Sequence, residues 1–273
     1  MDTGEILAGI IIGGELKIHL IGVAGSGMSG IAGLLIALGH RVSGSDKVRT
    51  VEIERLEKLG LQFHLGQNAA NLSEADLVIF SSAIRPGNVE YDEALRTRRN
   101  MVRRAEALAA IMHAKRGIVV CGMHGKTTTS SMAAHVLKAG GLHPSHYVGA
   151  EIPILGTNAN WDLDGEHFVV EGDESDGTLA LYHPEHAIVL NIEEEHLDFY
   201  EDLAAIDDVV VFPCIPQTTM PFFACMIAAN ASARRTRLRR VRSASSYSTL
   251  PGRIADEKIT RSASERFAAS WPR

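Results

Sequence analysis

The chain makes the same local move twice, and that constrains its fold more than any other feature. Residues 16–21 form an apolar run that ends in a glycine-rich segment, 22–30. Ile31, Leu34, Leu35 and Leu38 then recur at helical spacing until Gly39. Residues 117–121 form a second apolar run, followed by the glycine loop 122–126 and a helical stretch 127–138 that stops at Gly140 and Gly141. Short apolar runs closed by glycine read as buried strands, and glycine past the last apolar repeat is a helix stop. Further strands are predicted at 41–45, 76–80, 168–170 and 187–192, with helices at 90–98 and 104–113. Strands alternating with helices imply parallel pairing, so the expected fold is α/β with two successive doubly wound domains.

The expected boundaries are a leader over 1–15, one domain over 16–113, a second over 114–211, and a tail over 212–273. The only apolar run near the N-terminus, 6–12, is too short to cross a bilayer, which takes about 20 residues. It is flanked by Asp2 and Glu5 rather than by basic residues, which speaks against a signal peptide. Cys121, Cys214 and Cys225 are widely spaced and odd in number, so they make neither a disulfide framework nor a zinc pattern, and a reducing, cytoplasmic setting is expected. His183 and His186 lack a third ligand at zinc spacing.

Charge separates the tail from the rest. The 273 residues carry a net charge of −6, which argues against a nucleic-acid partner. That figure combines −14 over 1–211 with +8 over 212–273, where 10 Arg and 1 Lys face 3 acids. Pro213, Pro216 and Pro221 interrupt the apolar part of the tail, and proline breaks helices and strands alike. The tail is therefore expected to be disordered. Its Arg, Ser, Ala and Pro bias is what out-of-frame reading of a GC-rich gene yields, so a frameshift near 207–212 is the favoured expectation. A genuine basic extension and a divergent structured segment are the alternatives.

Gly25-Ser26-Gly27-Met28-Ser29-Gly30 fits G-x-G-x-x-G between strand and helix. There glycines let the backbone approach a phosphate, and a helix N-terminus offers N–H groups and a positive dipole end. Asp46 closes the next strand, where a ribose-binding acid would stand. By itself this motif suggests a dinucleotide, without separating NAD from other diphosphate-bearing nucleotides. Gly122-Met123-His124-Gly125-Lys126-Thr127-Thr128 says more. Lys126 and the loop N–H groups can cradle triphosphate oxygens, and the Thr127 hydroxyl can hold Mg²⁺. Val120 stands where a Walker A loop has its first glycine, so this is a shortened phosphate loop. Glu171 falls at the end of the strand 168–170, at the sheet edge where α/β proteins bind ligands, and suits a Mg²⁺ bridging ATP oxygens.

Taken in order, these motifs resemble the Mur ligases of peptidoglycan synthesis, in particular the alanine-adding branch. Ser43-Gly44-Ser45-Asp46, Ser81-Ser82-Ala83-Ile84, Arg103-Arg104-Ala105-Glu106, Gly156-Thr157-Asn158-Ala159, Asp173-Glu174-Ser175-Asp176 and Asn191-Ile192-Glu193 extend the likeness over about 16–208. The resemblance implies an N-terminal Rossmann-like parallel-sheet domain followed by an incomplete P-loop ATPase-type α/β domain. It reassigns the first loop: Gly25, Ser26, Gly27, Met28, Asp46 and Ser82 match the region that binds the UDP-substrate. Lys126 matches the phosphate lysine, with Gly122, Met123, His124, Gly125, Thr127 and Thr128 completing the ATP loop. Thr127, Glu171 and His196 match Mg²⁺ ligands, and Lys126, Glu171 and His196 the catalytic set. The implied reaction is ATP-dependent joining of L-alanine to UDP-N-acetylmuramate through an acyl phosphate, with no nucleic-acid or membrane partner. Gln67 departs from a histidine common in relatives, and nothing after Val211 matches the rest of the family's central domain or its third domain. An incomplete, weakly active or inactive ligase is the expectation. A murein tripeptide-recycling ligase, a non-catalytic nucleotide-binding fragment and an NAD-dependent dehydrogenase are the competing readings.

Overall fold

The computed structural model describes residues 3–12, 14–173 and 178–193. The tail, His196 and the motif residues Glu174, Ser175 and Asp176 lie outside the described residues. Two five-stranded sheets organise the rest. The first contains β1 (Lys17–Ile21), β2 (Arg41–Asp46), β3 (Gln62–Leu65), β4 (Leu77–Phe80) and β5 (Asn100–Arg103) in the order β3-β2-β1-β4-β5, all parallel. The second contains β6 (Arg116–Cys121), β7 (Ser145–Tyr147), β8 (Ala159–Asn160), β9 (His167–Glu171) and β10 (His186–Val189) in the order β10-β6-β9-β7-β8. All its pairings are parallel except β7 with β8.

The helices are α1 (Thr3–Ile12), α2 (Ser26–Ala37), α3 (Val51–Lys58), α4 (Val89–Arg96), α5 (Arg104–Met112) and α6 (Lys126–Ala139). Parallel strands are covered on both faces, so they read as unbroken apolar runs. Leu20, Ile21, Leu77, Val78 and Ile79 are accordingly buried, as are Val119, Val120, Phe168, Val169 and Val170. The strands at β3 and β5 and the helix α3 escape a periodicity reading because they are short or polar. β3 is Gln-Phe-His-Leu and β5 is Asn-Met-Val-Arg.

Residues 1–15, expected only as a leader, include α1. It buries Ile6, Leu7 and Ile10 and packs on α5 and β5. His40 fastens it: the Leu16 N–H donates to Nδ1 at 3.3 Å, which leaves Nε2–H to donate to the Ile10 carbonyl at 2.9 Å.

The strand orders matter for function because each sheet reverses direction beside its first strand. The chain runs outward from β1 to β2 and β3, then returns to β4 on β1's other side. Loops leaving β1 and β4 therefore diverge at one edge, the crevice that α/β sheets use for ligands. In the second sheet β6 lies between β10 and β9, with Val189 opposite Cys121 and Glu171 opposite Val120. That register brings the ends of three strands together around the second glycine loop.

Three histidines make stability sensitive to mild acid, among them His113, which burial and the neighbouring His183 push down. Burial of His146 on β7 pushes its pKa down, against a contact with the Thr157 carbonyl. Burial and the nearby His19 do the same to His64. For a group whose folded pKa is depressed, the unfolded chain binds the proton more readily. The associated stability is present above the unfolded value, about 6.5, and is lost as pH falls through the folded value. The melting temperature is expected to drop by about 2–4 °C between pH 7.5 and 5.5, and His146→Gln should flatten that slope. A midpoint that rises toward pH 5.5 would refute the assignment.

Candidate functional site: two glycine loops at the sheet edges

The first loop leaves β1 at Gly22, whose φ of 85° is left-handed and therefore suits glycine. The N–H groups of Gly22 and Val23 both donate to the Ser45 carbonyl, at 2.9 and 3.1 Å. Asp46 braces the same loop. One carboxylate oxygen accepts from the Ala24 N–H at 3.0 Å and the other from Lys47 at 2.7 Å and Val48 at 3.3 Å. The acid expected at a ribose thus already holds its own loop, so any nucleotide contact would be additional. Gly25 caps α2 without a side-chain cap, and Gly25 and Ser26 are exposed. Met28 turns inward and is only 2% exposed, so its backbone alone could face a ligand. Ser82 is exposed just past β4, at the same sheet edge.

Two of the three motif glycines serve packing. A Cβ on Gly27 would collide with Arg104 Nη1 and meet the Tyr147 hydroxyl at 2.9 Å. One on Gly30 would meet the Tyr147 ring at 2.9 Å. Tyr147, from the second sheet, donates to the Gly27 carbonyl at 3.1 Å, and Asn158 Nδ2 donates to the Ser26 carbonyl at 2.7 Å. Arg104 reaches Tyr147 at 3.4 Å and Asp173 at 3.3 Å. The α2 glycines are therefore the seat of the second sheet on the first.

Beneath this loop lies a buried polar cluster that the sequence reading passed over. Glu90, on the first turn of α4, is fully buried. Its Oε1 accepts from the Asn68 N–H at 3.1 Å and Asn71 Nδ2 at 2.7 Å, and its Oε2 accepts from the Ser45 hydroxyl. His19 Nε2 stands 3.6 Å from Oε2, within ion-pair reach but too long for a hydrogen bond. The other nitrogen, Nδ1, lies 2.8 Å from the Ser43 hydroxyl. Burial pushes the Glu90 carboxyl up, but its contacts with His19, Ser45 and Asn71 outweigh burial and hold it below its ordinary range. Asn88 at the N-cap and an acid two residues on were the only sequence signals, and they usually mark a solvated helix start.

The second loop turns on two left-handed glycines, Gly122 at φ 126° and Gly125 at φ 85°. Gly125 is the N-cap of α6, and no side chain caps that helix. Lys126 begins it, half-buried, with Nζ 3.4 Å from the Met123 carbonyl. The Thr127 hydroxyl donates to Glu171 Oε1 at 3.0 Å, and Gly149 N–H donates to Oε2 at 2.7 Å. Residues 44 positions apart thus meet at the mouth of the loop. Met123 and His124 direct their N–H groups to Asn191, at 3.2 and 2.8 Å. Thr128 is exposed, and with Thr127, Ser131, Met132, His135, Ile152 and Ile154 it lines an open cavity of about 260 Å³ beside α6. A hydroxyl and a carboxylate are hard oxygen donors, so Thr127 and Glu171 fit Mg²⁺. Among the described residues no group of three or more His, Cys, Asp or Glu forms a metal cluster.

Comparison with known proteins gives the class first. Residues 17–116 match the profile of the Mur ligase family, catalytic domain, and 120–209 match that of the Mur ligase middle domain. The chain belongs to the Mur ligase family. It is similar to proteins named UDP-N-acetylmuramate–L-alanine ligase. That of Geotalea daltonii is 45% identical over 195 residues, 71% of this chain and 42% of the relative. That of Syntrophobacter fumaroxidans is 48% identical over 192 residues, 70% of this chain and 41% of the relative. The chain thus spans about two fifths of the length of these relatives. Among solved structures, UDP-N-acetylmuramate-alanine ligase MurC of Thermotoga maritima superposes with a TM-score of 0.67 at 31% identity, covering 71% of this chain and 46% of that one. The UDP-N-acetylmuramate:L-alanyl-gamma-D-glutamyl-meso-diaminopimelate ligase of Neisseria meningitides gives 0.71 at 28%, covering 83% and 75%. Among the described residues no helix is long and apolar enough to cross a membrane.

Proposed function

We propose that this chain serves the ATP-dependent ligation of L-alanine to UDP-N-acetylmuramate, a cytoplasmic step that builds the peptidoglycan precursor. The first loop, with Gly25, Ser26, Gly27 and the exposed Ser82, takes the UDP diphosphate. The second is a shortened P-loop that takes ATP. The observation that carries this reading is the meeting of Thr127 and Glu171 beside the uncapped start of α6. Thr127 and Glu171 would hold Mg²⁺, with His196 as a further ligand. Bound there, the ion would neutralise charge on the phosphate oxygens.

The chemistry needs an activated carboxylate, because an unmodified one has no usable leaving group. The lactyl carboxylate of UDP-N-acetylmuramate attacks the γ-phosphorus and ADP leaves. The amine of L-alanine then displaces phosphate from the acyl phosphate, losing a proton as the amide forms. Lys126 stabilises charge on the transferred group, and Gly149 N–H keeps the Glu171 carboxylate turned toward Thr127. The identities of 45–48% to alanine-adding relatives favour this substrate over free tripeptide. Calorimetry on the full chain should detect UDP-N-acetylmuramate and MgATP at separate sites and, with both present, L-alanine rather than L-alanyl-γ-D-glutamyl-meso-diaminopimelate as the amine ligand. Displacement of MgATP by UDP-N-acetylmuramate, or binding of the tripeptide in place of L-alanine, would overturn the assignment.

A further inference from the structure

We infer that Asn191 is the positioning residue that holds the second glycine loop in its phosphate-accepting shape, and so sets nucleotide affinity without touching the nucleotide. The inference rests on the reading of that loop as the ATP site. Residues 122–125 form a turn with two left-handed glycines, a conformation that flexible backbone leaves readily unless something holds it. Asn191, just past β10, supplies the hold at several points. Its carbonyl accepts from the Met123 N–H at 3.2 Å. Its side-chain Oδ1 accepts from the His124 N–H at 2.8 Å, while Nδ2 donates to the His124 carbonyl at 3.0 Å. The neighbouring Leu190 N–H donates to the Cys121 carbonyl at 3.0 Å, carrying the β10–β6 pairing up to the loop.

The pairing with His124 demands a particular side chain. It needs one donor and one acceptor on a short planar group, which a primary amide provides and a carboxylate or an alkyl group does not. Fit is also tight. A Cβ on Gly122 would lie 2.8 Å from the Asn191 carbonyl oxygen and 2.9 Å from its nitrogen, so the loop backbone presses directly on this residue. By engaging the N–H groups of Met123 and His124, Asn191 leaves phosphate recognition to Lys126 and the first turn of α6. None of these contacts requires Asn191 to approach the ligand.

The test is calorimetric titration of MgATP into the full chain, its Lys126→Ala form, Asn191→Leu and Asn191→Asp, with thermal melting of each. Asn191→Leu is expected to bind MgATP about tenfold more weakly than the parent, since two hydrogen bonds are lost. Asn191→Asp separates positioning from packing. Ionised, it accepts from the His124 N–H but repels the His124 carbonyl. Protonated, it presents one donor and one acceptor, as asparagine does. At pH 7.5 an aspartate of ordinary pKa, about 3.9, is ionised, so Asn191→Asp should bind MgATP about tenfold more weakly than the parent although it has the shape of asparagine. Parent-like affinity in Asn191→Asp or in Asn191→Leu, while Lys126→Ala is weakened, overturns the inference alone. A parent chain that binds no MgATP overturns the reading of the loop and this inference with it.

Discussion

Lys126→Ala is expected to weaken MgATP binding by about 100-fold while leaving the melting temperature within about 1 °C of the parent. A charge-assisted hydrogen bond contributes about 1.5–3 kcal/mol, and a lysine reaching two phosphates makes more than one. The start of α6 stays in the variant and retains part of the affinity. No side chain caps the helix, so its positive dipole end adjoins the lysine charge. Fold stability should change little, because the side chain is only half-buried and lysine contacts within reach of water contribute little. Lys126→Arg restores charge with a different shape and should recover only part of the affinity. A Lys126→Ala chain that binds within threefold of the parent would show that the loop does not grip phosphate.

Glu90→Ala should destabilise the chain by about 3–5 kcal/mol, the range for removing one partner of a buried charged cluster. The loss strands the Asn68 N–H, Asn71 Nδ2 and the Ser45 hydroxyl in a site closed to water. It also leaves the buried His19 facing a void. Because the Glu90 pKa is depressed on folding, its contribution is present above the unfolded value, about 4.3, and is lost as pH falls through the lower folded value. The deficit of Glu90→Ala should therefore persist from pH 7.5 to 5.5, widening somewhat because Glu90 also favours the protonated form of His64, and shrink only in stronger acid. Function should follow stability here, since Ser45 joins Glu90 through its hydroxyl and the first loop through its carbonyl. Weaker UDP-N-acetylmuramate binding is expected even where the variant is folded. Denaturant unfolding that places Glu90→Ala within 1 kcal/mol of the parent would remove the cluster from the account of this loop.

The likeness of the two glycine loops in sequence conceals different uses of glycine. In the second loop Gly122 and Gly125 are needed for backbone angles, and this follows from the local motif. In the first, Gly27 and Gly30 have ordinary helical positions and are needed because Tyr147 and Arg104 arrive from far along the chain. Reading G-x-G-x-x-G as phosphate binding alone credits the motif with one role where the structure gives it a second.

Local chemistry was enough to reveal the alternating α/β pattern, both glycine loops, Lys126 at a helix start, and Glu171 at a strand end. Those features depend on near neighbours: apolar runs make strands, glycines permit left-handed turns, and a strand end faces the ligand edge. The meeting of Thr127 with Glu171, the clasp of Asn191 on His124, the burial of Glu90 and the docking of α1 depend on strand order and register. No periodicity carries that information, because order is chosen by the packing of whole elements. Glu90 and Asn191 read as an ordinary helix acid and an ordinary loop amide until parallel pairing sets β1 beside β2 and β10 beside β6.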